Sequence, residues 1–261
     1  MTITVGIVIS EGIVLAADSR QVTESAPGQW RVDSDSAHKI IQLGPHLAAL
    51  LCGQGSFYAD RASSPQSLGL LLRSAAGRLP AGCTVQQAAS RIHKELLQRL
   101  QAHQTATGSE QSGLGFHILG YQAGETIGEI WRCEVPGGVQ LERSSRDAGA
   151  VWSGQREIVD RLLLGYDPRL PDLLTASPAR AAFLEQRAKL QLHIGFQTMT
   201  LQDAVSLAAL LVRATIDLQR FSDGIVGRPG QFPTCGGALE VAVITPHEGF
   251  SWLQKKELSV F

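Results

Sequence analysis

Thr2-Ile-Thr-Val-Gly-Ile-Val-Ile-Ser-Glu-Gly-Ile-Val-Leu-Ala-Ala-Asp-Ser-Arg20 is the stretch on which the reading of this chain turns. Its first part, Thr2–Ile9, is dense in Val, Ile and Thr, side chains that suit a packed, pleated surface. Ser10-Glu11-Gly12 supplies a turn, and Ile13–Ala17 is a second run of the same kind. Two strands joined by so short a turn pair as an antiparallel hairpin.

The pattern continues outward. A polar loop with Pro27 and Gly28 follows, and Lys39–Leu43, a Gly44-Pro45 turn and His46–Cys52 predict a second hairpin. Thr84 with Gln87 three residues on resembles a capping box. Behind it Val85, Ala88, Ala89, Ile92, Leu96, Leu97 and Leu100 recur at helical spacing. Phe116–Tyr121, Thr126–Cys133 and Val139–Arg143 read as strands between Gly-rich turns, and Gln155–Leu164 as a helix. Pro168–Met199, with Pro171 and Pro178 inside it, has room for a short helix. Thr200 and Asp203 open another helix, on which Leu201, Val205, Ala208, Ala209, Val212 and Ile216 form an apolar stripe. Ala238–Thr245 and Phe250–Leu253 read as closing strands around a Pro246–Gly249 turn. Strands, helices, strands, helices, strands in that order predict a layered α+β domain, with hairpin-built sheets covered by helices.

Composition narrows the function classes. The 261 residues carry 23 Lys+Arg against 24 Asp+Glu, so no basic field points to nucleic acid or an anionic membrane. The longest apolar run, near Leu47–Cys52, is far too short for a membrane span. The start lacks the basic and apolar regions of a signal peptide, which makes a cytoplasmic protein the expectation. Cys52, Cys83, Cys133 and Cys235 have no ligand-type spacing and read as reduced core cysteines. The seven histidines form no HExxH or carboxylate-flanked cluster, and Gly53-Gln54-Gly55 lacks the Lys-Ser/Thr of a phosphate loop, so neither metal nor cofactor is expected.

Thr2 itself carries chemistry. It follows the initiator Met directly, and a small residue there permits removal of Met1, leaving a free α-amino group. Such a residue holds its nucleophile and its base together: the hydroxyl attacks a carbonyl while the amine takes its proton. An ordinary α-amino group has a pKa of about 7.7–8.0, and a nearby Lys cation favours its neutral form.

The stretch from Thr2 to Arg20 resembles the start of a mature proteasome β subunit, and so the N-terminal nucleophile hydrolases of the proteasome type. That pattern is a Thr, a strand, a Gly turn, a second strand ending in Ala-Ala-Asp, then Ser-Arg, and it matches without a gap. The resemblance places Asp18 on the family's catalytic-site Asp and Arg20 on the neighbouring Arg. It places Lys39, in His38-Lys39-Ile40-Ile41, on the catalytic Lys, after a loop longer than usual. Gly53, fourteen residues after Lys39, falls on the Gly whose N–H serves as oxyanion donor.

Farther along, Trp152-Ser153-Gly154 resembles the family's Gly-Ser-Gly segment. It implies that Ser153 lies near Thr2 and orients its amine, although Ser153 also reads as a helix N-cap. Thr234-Cys235-Gly236-Gly237-Ala238 resembles the Ser-Gly-Gly turn, with Cys235 where Ser is usual and Phe232 where the family has a second Asp. Asp217 and Asp223 are the candidates to replace that Asp. Ala37 and Leu51 match the substrate pocket, implying that apolar side chains are accepted.

The resemblance therefore implies a four-layer αββα sandwich over residues 1–261, with a divergent insertion at about 165–200. It implies a threonine peptidase, acting on peptide or unfolded-protein substrates within a homo-oligomeric ring or barrel. A regulatory ATPase is not specified. Two other readings stay open: a scaffold subunit without turnover, which retention of Met1 would favour, and an N-terminal Thr amidase or transpeptidase acting on a different amide.

Overall fold

The computed structural model describes residues 2–26, 28–53, 55–57, 66–107, 113–122, 124–175, 177–222, 224–225, 228–229 and 232–257. Ten strands make two five-stranded sheets. The first sheet contains β1 (Ile3–Val8) and β2 (Ile13–Ala17). A ribbon, β3 (Gln21–Ala26) and β4 (Gln29–Ser34), leads to β5 (Ile40–Gly44) and β6 (Leu47–Gly53) of the second sheet. The short pair β7 (Ser56–Phe57) and β8 (Gln66–Ser67) precedes α1 (Leu68–Ala76) and α2 (Val85–Thr107). Then come β9 (Leu114–Gly120), β10 (Glu129–Val135), β11 (Val139–Arg143), β12 (Gly149–Gly154) and α3 (Glu157–Leu164). The chain continues through α4 (Leu170–Leu173), α5 (Ser177–Gln186), a 3₁₀ turn (Arg187–Leu190) and α6 (Leu201–Phe221). It closes with the short pair β13 (Gly224–Ile225) and β14 (Arg228–Pro229), then β15 (Glu240–Thr245) and β16 (Gly249–Gln254).

The sheets run β12-β1-β2-β15-β16 and β11-β10-β9-β6-β5, antiparallel throughout. All six residues of β1 are buried, because both faces of its sheet are covered. Ile3, Val5 and Ile7 meet Val159 and Leu163 of α3 and Ala204, Ala208 and Leu211 of α6. The opposite face, with Val8, Ile13, Leu15 and Ala17, packs on Ile40, Ala48, Leu50, Leu119 and Ile130 of the second sheet. That second sheet buries Ala49, Phe116 and Ile118 against Leu68 and Leu72 of α1 and Ala89, Ile92 and Leu96 of α2. A fully buried isoleucine in such a core contributes about 2–5 kcal/mol relative to alanine. Gly6 lets the sheets approach: a Cβ there would sit 2.9 Å from Leu119 Cδ2.

Both predicted hairpins are present, within a residue or so at each end. The capping box at Thr84 also forms, with Gln87 N donating to Thr84 Oγ1 at 3.1 Å and Thr84 N to Gln87 Oε1 at 3.2 Å. Thr200 caps α6 by accepting from Asp203 N at 3.2 Å. Several segments differ from the sequence reading. Residues 21–34 are not one polar loop but the ribbon β3–β4, whose β4 side chains are exposed or half-buried and so show no apolar alternation; Pro27 lies outside the described residues. Helix α1 and strand β12 are additions to the predicted elements; β12 is an edge strand, pairing only with β1 in its sheet. The Pro168–Met199 stretch holds two helices and a 3₁₀ turn, and Leu192 N donates to Leu163 O at 2.8 Å to hold it to α3. Among the described residues, no helix is long and apolar enough to cross a membrane.

Candidate active site

Hairpin register builds the centre of the site. Thr4 pairs with Ala17, so the chain leaving β2 carries Asp18 across from Ile3 and beside Thr2. Asp18 N donates to Ile3 O at 3.2 Å, which extends the ladder by one step. The Asp18 carboxylate is fully buried, and donors converge on both its oxygens. Oδ1 accepts from Thr2 Oγ1 at 2.5 Å, Ile3 N at 3.0 Å and Lys39 Nζ at 2.6 Å. Oδ2 accepts from Arg20 N at 3.2 Å and Gly236 N at 3.0 Å. A buried charge is tolerated when paired and hydrogen-bonded in this way.

Lys39 enters from the residue before β5 and is itself buried. Its ammonium bridges Asp18 and the carbonyl of Arg20, at 2.7 Å from the latter. The structure thus brings the Thr2 hydroxyl and the Lys39 ammonium to one carboxylate oxygen. Arg20 frames the site from outside. Its guanidinium forks onto Asp35 at 2.7 and 2.9 Å, donates to Pro233 O at 3.3 Å and lies 5.9 Å from the Phe232 ring centroid. The hydrogen bonds from Arg20 hold the Asp35 carboxyl below its ordinary range, against the opposing effect of its partial burial.

Thr2, Lys39, Gly53, Ala37 and Leu51 all line one cleft of about 600 Å³. Gly53 ends β6 opposite Leu114 with φ +93°, and a Cβ there would meet nothing within 4 Å. Backbone conformation, not lack of space, asks for glycine there.

The register of β12 sets the place of Ser153. It sits across from Thr4. Among the described residues no hydrogen bond joins it to Thr2, and α3 begins after Arg156, so Ser153 does not cap that helix. The exit of β12 holds the start of the chain instead: Gln155 N donates to Thr2 O at 2.6 Å. Gly154, at φ +96°, permits this approach, since a Cβ would fall 1.8 Å from Thr2 O.

Cys235 is buried behind the Asp18–Lys39 pair, and burial, reinforced by the Asp18 charge, pushes its thiol well above the usual range. It is held as a neutral thiol. Of the two candidate replacement carboxylates, Asp223 lies outside the described residues. Asp217 is on α6, and no hydrogen bond at Thr2, Asp18 or Lys39 among the described residues involves it.

Three contributors carry no signal in the sequence reading of the site. Gln219 of α6 accepts from Thr234 N at 3.1 Å and Cys235 N at 3.0 Å, fixing the turn that delivers Gly236 N to Asp18. Glu240, fully buried, accepts from Lys39 N at 3.1 Å and lies 2.6 Å from His38 Nδ1. Lys256 Nζ lies 3.3 Å from Glu240 and donates to Ser19 Oγ at 2.8 Å and Ala37 O at 2.5 Å. A carboxylate inside the apolar run Ala238–Thr245 is the one readable signal of this second cluster.

Comparison of the chain with known protein families finds no matching family model, and comparison with curated proteins finds no match either.

Proposed function

We propose that the chain is an N-terminal threonine peptidase of the proteasome type, a divergent four-layer αββα member that works as a homo-oligomer in the cytoplasm. The observation that carries this reading is the convergence of Thr2 Oγ1 and Lys39 Nζ on one buried Asp18 oxygen at a cleft. Helices packed outside two facing sheets support the layered architecture.

Removal of Met1 frees the Thr2 amine. The Thr2 hydroxyl passes its proton to that amine as Oγ1 bonds to the peptide carbonyl carbon, whose oxygen becomes an anion facing Gly53 N–H. The Lys39 cation keeps the amine neutral before this step, and Asp18 holds Lys39 in place. Collapse of the intermediate breaks the C–N bond, and the amine's proton goes to the departing nitrogen. Water then hydrolyses the acyl ester and regenerates Thr2. The outward side chains Leu210, Leu218 and Phe221 of α6 are exposed apolar area that a neighbouring copy would cover, which supports an assembly.

Intact mass, before and after a covalent inhibitor directed at N-terminal Thr, tests the chemistry. The expected result is one adduct on a chain lacking Met1, absent in Thr2→Ala. A processed chain that forms no adduct, or a chain that retains Met1, overturns the reading in favour of a scaffold. Sedimentation of only the 28.0 kDa monomer would overturn the assembly.

A further inference from the structure

We infer that the cleft at Thr2 selects peptides carrying an acidic side chain next to the cleaved bond. This rests on the peptidase reading and adds the substrate class. Among the described lining residues every ionisable side chain is a base: Arg20, His38, Lys39 and Arg73. Two of these are already neutralised, Arg20 by Asp35 and Lys39 by Asp18, and both carboxylates stand outside the lining.

His38 also faces a carboxylate outside the lining, Glu240, which leaves Arg73. Arg73, exposed on α1, has no ion-pair partner among the described residues. His38 has a side chain 42% exposed, with Nδ1 held against fully buried Glu240. A carboxylate at that position accepts from Nδ1–H and fixes the ring, leaving Nε2 as its other polar atom. A substrate carboxylate entering the cleft meets no acidic side chain among the described lining residues. Arg73 supplies the uncompensated positive charge that steers and holds the same group. Leu51 and Ala37, which suggest an apolar pocket on their own, then pack against the methylene stem of a Glu. A Lys side chain would bring like charge beside Arg73, which costs binding.

Peptide amides differing only in Glu, Leu or Lys before the cleaved bond test this, alongside the Thr2 adduct measured by intact mass. The wild-type enzyme is expected to cut the Glu peptide with kcat/KM at least about tenfold above the Leu and Lys peptides. Arg73→Glu should lower the Glu peptide and raise the Lys peptide, and Arg73→Gln should abolish the preference without reversing it. Melting curves show whether each variant is folded. An adduct at Thr2 with the Leu or Lys peptide cut as fast as the Glu peptide, or an unchanged ranking in both variants, overturns the acidic selectivity and leaves the peptidase standing. No adduct and no cleavage of any peptide overturns the peptidase reading itself, and the selectivity with it.

Discussion

Two buried carboxylates, Asp18 and Glu240, serve the same lysine in different ways. Both are fully buried, and Glu240 sits across from Ala17, one residue before Asp18. Asp18 takes the side chain of Lys39 and the hydroxyl of Thr2, whereas Glu240 takes the backbone N–H of Lys39 and the ring of His38. One carboxylate therefore touches the atoms that would react. The other fixes the segment that carries them, with Lys256 tying that segment to Ser19 and Ala37 from behind. Similar burial and charge do not make similar roles; what separates the two is contact with the nucleophile.

The largest expected effect comes from Asp18→Asn. The amide cannot balance the buried Lys39 charge, so turnover should fall by about 10²–10⁴-fold, the range of a lost acid–base arrangement. Stability should fall by about 3–5 kcal/mol, the usual cost of an unpaired buried charge. Peptide turnover and denaturant melts read both. If Asp18→Asn and Glu240→Gln lose kcat equally with KM unchanged in both, the distinction between the two carboxylates is wrong.

Glu240→Gln should act more gently. Gln can still accept from Lys39 N, so the segment stays near its place, while Lys256 loses its charged partner. A loss of about 1–3 kcal/mol in stability is expected, with kcat reduced by roughly tenfold. Lys256 is already short of its ordinary proton affinity, chiefly because of burial and despite Glu240 beside it. Removing both charges should therefore cost less than the two single changes added together. A double-mutant cycle with Lys256→Met measures this, and strict additivity would show that the pair is not coupled.

These two clusters were not equally legible in the sequence. The meeting of Thr2 and Asp18 follows from local physics: a short turn and a fixed hairpin register bring residues sixteen apart into contact. Lys39 and Gly53 sit at the ends of the next hairpin, so motif order can point to them. Glu240, Gly236 and Lys256 reach the site from about two hundred residues away, through sheet order alone. No local spacing encodes that meeting. Ser153 lies between these cases: its segment resembles a family motif, and the register of β12, which no local spacing encodes, sets it across from Thr4. In the fold, the strongly periodic α2 and α6 were readable, whereas the ribbon β3–β4, with exposed or half-buried side chains along β4, left no alternation to find.

Asp35, the exposed counterpart of the two buried carboxylates, should give the smallest effect. Arg20 forks onto it while its own N–H and carbonyl serve Asp18 and Lys39, so the pair braces the rim. The Asp35 side chain is 46% exposed, and solvent screening limits the pair to at most about 1 kcal/mol. Its carboxyl is held below the ordinary value of 3.8, first by the hydrogen bond from Arg20. Between the folded value and 3.8 the unfolded chain binds more protons than the folded one, so stability falls as pH falls through that window. Above 3.8 the contribution is complete. Denaturant unfolding of the wild type and Asp35→Asn should therefore differ at neutral pH and converge in acid. Parallel curves at every pH would show that the Arg20 fork, unlike the Asp18 and Glu240 clusters, adds nothing to the energy that holds the site together.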